Sequence, residues 1–136
     1  MRFSMGLQID ESDLAAARPA ERNCSKHISV LNDIYSYEKE VAAAQSGHVE
    51  GGALCSSVPI LAREADVDPH AAKRILWAMC REWERCHEEM VVRLERQQEE
   101  ASPALRAYVK GLEYQMSGNE MWSRSTMRYH GVTAGA

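Results

Sequence analysis

The sequence predicts an all-α fold, and three observations carry that expectation. Ala, Leu, Glu, Arg and Met dominate its patterned stretches, while Val, Ile, Thr and Phe are sparse. Neither the alternation of a half-buried strand nor an Asn-Gly or Asp-Gly hairpin signal is present. Asp68-Pro69 and Ser102-Pro103 each place a capping side chain immediately before a proline, the signature of a helix start.

The elements follow in order. Residues 11–18 read as a short helix stopped by Pro19, and residues 21–44 as a long helix ended by Gly47. Gly51 and Gly52 separate that helix from a third segment at about 53–65. From Asp68 to about Glu100 no breaker occurs, and Ile75, Met79, Trp83, Cys86 and Met90 recur at helical spacing. The helix opened by Ser102-Pro103 runs to about Met116 and stops at Gly118; a last short helix spans about 120–129. The tail HGVTAGA reads as frayed. The opening, MRFSMGLQIDESDL, reads as one helix running into another, as if cut from a longer chain. Six helices in an antiparallel bundle are the expectation.

Composition narrows the function. The 136 residues are 45% hydrophobic and 26% charged, the balance of one soluble globular domain. A net charge of −4 and a pI near 5.7 argue against nucleic acid as a partner. No apolar run is long enough for a transmembrane helix, so no membrane partner is expected, and the N-terminus has no apolar signal core. Cys24, Cys55, Cys80 and Cys86 form no C-x-x-C pair; Cys80, Cys86 and His87 lack the further ligands that zinc requires. Reduced thiols in a cytoplasmic protein are the simpler reading.

The chemistry concentrates in the long helix. Asn32, Ser36 and Glu40 fall at i, i+4 and i+8, one above another on one helix face. All three end in oxygen, the donor a hard divalent cation takes, and such a site is readily completed by phosphate oxygens. Lys39, seven residues after Asn32, lies close to the same stripe. A solvated polar face is the alternative that spacing alone leaves open.

The stretch NDIYSYEKE resembles the second metal motif of class I terpene cyclases, (N/D)-D-(L/I/V)-x-(S/T)-x-x-x-E, at every specified position. The resemblance implies that Asn32, Ser36 and Glu40 chelate Mg²⁺ and that Lys39 contacts diphosphate. Near the C-terminus, GNEMWSRSTMRY resembles the closing motif of the fungal enzymes of this class, G-N-x-x-W-S-x-x-x-x-R-Y. It implies that Arg128 and Tyr129 donate to the diphosphate and that Trp122 lines the cavity, where an aromatic face stabilises a cation. The nearest style is that of fungal sesquiterpene cyclases of the aristolochene synthase type.

The resemblance further implies the isoprenoid-synthase helical bundle, with residues 1–136 as the C-terminal portion of a single cyclase domain and no second domain. It implies a lyase that ionises a prenyl diphosphate, farnesyl diphosphate above all, with Mg²⁺ and cyclises the cation. The family's upstream aspartate-rich motif has no counterpart here. Asp66 and Asp68 have no third acid in register, and Glu88-Glu89 and Glu99-Glu100 follow the second motif instead of preceding it. Prenyl transfer on the same fold and a non-catalytic helical module are the alternatives. Absent partner helices are expected to leave Ile28, Leu31 and Ile34 exposed, and the three metal-ligand oxygens are expected to converge on a concave surface.

Overall fold

A computed structural model describes residues 5–46, 56–97 and 100–130, with the side chains of Arg128 and His130 outside the described set. Among the described residues there are four longer helices and a final single turn: α1 Glu11–Gln45, α2 Ser57–Glu64, α3 Pro69–Arg96, α4 Pro103–Ser125 and α5 Met127–His130.

Each start follows from its capping residue. The Asp10 carboxylate accepts from the Asp13 N–H at 2.8 Å. Asp68 accepts from the N–H groups of His70 and Ala71 at 2.9 and 3.0 Å, with Pro69 opening α3. Ser102 accepts from the Leu105 N–H at 3.0 Å, with Pro103 opening α4. These side chains satisfy donors that the helix itself leaves unpaired.

Several expected boundaries are corrected. Pro19 does not stop a helix; α1 runs for 35 residues straight through it. Proline removes one i→i−4 bond, but α1 carries buried residues on both sides of it, Ala17 and Ala20, so packing overrides the local cost. Gly118 likewise lies inside α4, and residues 120–125 continue that helix. Residues 5–10 form a turn and extended chain instead of the end of an earlier helix. Helix α3 ends at Arg96, short of the expected Glu100. The segment at 53–65 holds α2, with 53–55, the glycines at 47, 51 and 52, and the tail beyond 130 outside the described residues.

Helix α1 is the spine, and α3 and α4 pack against it most extensively. Two apolar clusters line it. The first joins Ala17, Ala20 and Cys24 to Val91 of α3 and to Leu105, Tyr108, Val109, Leu112 and Met116 of α4. The second joins Leu31 and Ile34 to Val58 of α2 and to Ala72, Leu76 and Cys80 of α3. Burying a side chain such as Leu31 contributes about 1.5–3 kcal/mol. Leu31 and Ile34 are thus core residues, against expectation, and Ile28 packs partly buried against the first cluster. Exposed apolar side chains lie elsewhere, Ile75, Met79 and Val92 of α3 among them.

Between the clusters runs a polar layer. Asn23 donates to the Trp83 carbonyl at 2.6 Å, and fully buried His27 meets Glu84 at 2.7 Å through Nε2. His87, also fully buried, meets the Val109 carbonyl at 2.9 Å. Burial pushes the Cys24 thiol up to about 11 and the Cys80 thiol up to about 12, so both stay protonated and inert at neutral pH. Cys80, Cys86 and His87 are not gathered as a ligand set: Cys80 is a member of the second core cluster, and His87 is committed to a backbone carbonyl.

Candidate metal and diphosphate site

The C-terminal half of α1 carries the oxygen stripe. Asn32 is exposed, Glu40 is half-buried, and Ser36 is buried at 6% exposure. The Ser36 hydroxyl has no hydrogen-bond partner. A buried hydroxyl left unpaired costs about 1–3 kcal/mol, so this oxygen is a donor in want of a ligand. An amide oxygen, a hydroxyl and a carboxylate on one helix face suit a hard cation that keeps waters or phosphate oxygens in its remaining positions. The donor set therefore fits magnesium. Lys39 is exposed beside it.

Asp33, the second position of the motif, serves differently. Its Oδ2 accepts from both the N–H and the hydroxyl of Ser57, at 2.8 and 2.6 Å. This pins the start of α2 to α1 and fixes the rotation of the helix that bears the stripe. The motif residue was legible in sequence; its partner, 24 positions away, was not. Glu38 faces the other way and pairs with Lys73 of α3 at 3.1 Å.

The two sequence motifs meet in space. The Tyr129 hydroxyl donates to Asn32 Oδ1 across 97 residues of chain. Tyr129 also stacks on Tyr35 at 6.1 Å between ring centres, and it presents an edge to Trp122 at 5.8 Å. Tyr35 in turn makes an edge contact with Trp77 at 5.9 Å. The result is a row of four rings, Trp77, Tyr35, Tyr129 and Trp122, beside the oxygen stripe. Trp122 is 47% exposed, so it is not a core tryptophan in this chain. Tyr35 and Trp77 were not singled out in sequence; their spacing to Trp122 and Tyr129 carries no local signal. The Arg128 side chain lies outside the described residues. Two grooves on the surface, of about 550 and 360 Å³, are lined mainly by residues of α3, with Gln97 in the first and the first half of α1 and Val109 of α4 in the second, and neither includes a motif residue.

A second polar constellation escaped the sequence reading entirely. Arg81 of α3 reaches Glu120 of α4 through both guanidinium nitrogens, at 2.7 and 3.0 Å, and Glu84 at 2.7 Å. Hydrogen bonding, first to Glu120 and then to Glu84, holds the Arg81 guanidinium protonated. Arg81 in the same way holds the Glu120 carboxyl below the usual carboxylate range. Among the described residues no helix is long and apolar enough to cross a membrane.

Comparison with known proteins gives the family and the fold. A family model described as terpene synthase family 2, C-terminal metal binding, matches residues 1–86, a span that includes Asn32, Ser36 and Glu40. Aristolochene synthase of Aspergillus terreus is 60% identical over 129 residues, covering 95% of this chain and 40% of that protein. Aristolochene synthase of Penicillium roqueforti is 52% identical over 130 residues, covering 96% of this chain and 38% of that protein. The crystal structure of aristolochene synthase from Penicillium roqueforti superposes with a TM-score of 0.79 at 48% identity, over 93% of this chain and 40% of that one. The chain thus spans about 40% of the length of these relatives, and by fold, motif and family match it belongs to terpene synthase family 2.

Proposed function

We propose that this chain supplies the metal- and diphosphate-binding portion of a sesquiterpene cyclase acting on farnesyl diphosphate. The observation that carries the proposal is the contact of Tyr129 with Asn32: a hydroxyl from the second motif and a side-chain oxygen from the first, remote in sequence, occupy one locus. Asn32, Ser36 and Glu40 would hold Mg²⁺, which when bound neutralises charge on the departing diphosphate. Lys39 and Arg128 bring positive charge, and with Tyr129 they bring hydrogen-bond donors, to the same phosphate oxygens. Trp122 offers a ring face to the allyl cation, and the neighbouring tyrosines help to keep water away from it. A non-catalytic helical module is the competing reading; the meeting of the two motifs at Tyr129 and Asn32 favours the cyclase reading over it.

The test is product formation. One motif of the two-armed site is read in this sequence, and its three proposed ligands carry a single formal negative charge, on Glu40, so the chain alone is expected to yield no cyclised product from farnesyl diphosphate. Joined to an upstream half bearing an aspartate-rich motif, it is expected to turn over. In that joined enzyme Asn32→Ala, Glu40→Ala and Arg128→Ala should each lower the rate by roughly 10²-fold or more, the scale of losing a charge-stabilising group. Gas chromatography of terpene products reads all of these outcomes. Undiminished product from the Glu40→Ala enzyme defeats the metal assignment; robust turnover by the isolated chain defeats the reading of it as one arm of two.

A further inference from the structure

Neither apolar cluster takes a member from α4 beyond Met116 among the described residues. Yet the next nine residues carry Trp122 and lead into α5, where Tyr129 meets Asn32. Met121 and Trp122 are exposed, at 72% and 47%, and Ser123 alone is fully enclosed at 1%. The two cores therefore do not enclose this stretch; its apolar contact is the ring row, in which Trp122 meets Tyr129 and Tyr129 stacks on Tyr35.

A chain of charged contacts reaches it instead. The Glu120 side chain, only 12% exposed, receives Arg81 in a two-pronged contact and Arg124 at 2.6 Å. Arg81 extends to Glu84 at 2.7 Å, and Glu84 accepts from the buried His27 of α1 at 2.7 Å. The path therefore runs α4–α3–α1 and ends five residues before Asn32. His27, Glu84 and Glu120 bring their ligand atoms within 4.8 Å of one another, but the Arg81 guanidinium already lies between the two carboxylates and supplies the positive charge. The cluster is consequently a brace and not a metal site.

We propose that Glu120 and Arg81 are positioning residues, which set where α5 lies against α1 and so whether Tyr129 meets Asn32. The brace stands on geometry alone; its bearing on catalysis rests on the diphosphate-site reading above. A forked guanidinium held by two carboxylates fixes direction as well as distance, which suits a helix end that lies outside both cores and touches α1 through one row of rings.

The experiment uses the metal-free chain. In Glu120→Gln, amides of residues 121–126 are expected to exchange with deuterium at least about tenfold faster, while those of 105–116 stay within about twofold of wild type. By NMR, the Asn32 side-chain amide should move to the position it takes in Tyr129→Phe. Arg124→Met, which removes only the outer ion pair, should leave both readouts unchanged. Should Glu120→Gln fail to fold, Arg81→Lys retains the charge without the fork and should give the same local pattern more weakly. Wild-type exchange at 121–126 together with an unmoved Asn32 resonance overturns the brace. So does uniform loss of protection across 105–126, or failure of both variants to fold, since either marks a merely structural role. A joined enzyme that makes no terpene leaves these readouts unaffected, so the two proposals fail separately.

Discussion

A single hydroxyl illustrates how site and stability pull against each other in this chain. Ser36 is buried and unpaired, and an unsatisfied buried polar group is a liability that apolar replacement relieves. Ser36→Ala is therefore expected to stabilise the metal-free chain by about 1 kcal/mol, a rise of a few degrees in Tm, while lowering activity in the joined enzyme. Thermal unfolding checks the first half, and a fall in Tm would mean that the hydroxyl has a partner in the folded chain. At this scale the sequence was partly legible. The i, i+4, i+8 spacing of Asn32, Ser36 and Glu40 follows from helical geometry alone. Their unequal exposure does not, because it depends on what α2 and α3 bring against α1.

Local signals read helix starts well and helix ends poorly. Asp68-Pro69 and Ser102-Pro103 act through side chains adjacent to the backbone groups they satisfy, so their effect is contained in the sequence. Pro19 and Gly118 were read as stops because each is costly within a helix. Both costs are borne where α1 and α4 pack along most of their length, and only the tertiary structure contains that information. Gly118 has no packing reason to be glycine, since a methyl group there would meet no atom within 4 Å. Gly118→Ala should accordingly stabilise the chain by about 0.5–1 kcal/mol. A urea midpoint that rises with an unchanged slope supports this; a fall would show that the backbone at 118 needs glycine's freedom.

For the molecule as a whole, acid is the informative perturbation. Asp10 and Asp68 are held below their ordinary value of 3.8, chiefly by the backbone N–H groups of Asp13 and Ala71 respectively. Glu120 is held below 4.5, chiefly by Arg81. Groups whose carboxyls are depressed in the folded state contribute stability above their ordinary values and lose it as pH falls through the folded ones. The chain should therefore keep its urea midpoint from pH 7 to about 5 and lose it progressively below about 4.5. Glu120→Gln should make the decline shallower, and an equally steep decline in that variant would remove Glu120 from the account. The overall architecture, an all-helical member of the cyclase family, was legible because two motifs and a helical periodicity agreed. The charged path through Arg81 was not: it joins positions 39 residues apart on two helices, and no local pattern records such a pairing.

Because, among the described residues, both hydrophobic cores close before residue 117, lesions in the last turns are expected to cost little folding stability. A stop codon or a missense change near Trp122 or Tyr129 should then remove the proposed chemistry from a protein that still folds. Cellular quality control, which recognises exposed core and not lost activity, would pass such a product. Inactivating changes in this stretch should therefore persist as abundant, well-folded and silent protein, invisible to any screen that uses expression level or melting temperature as a proxy for function.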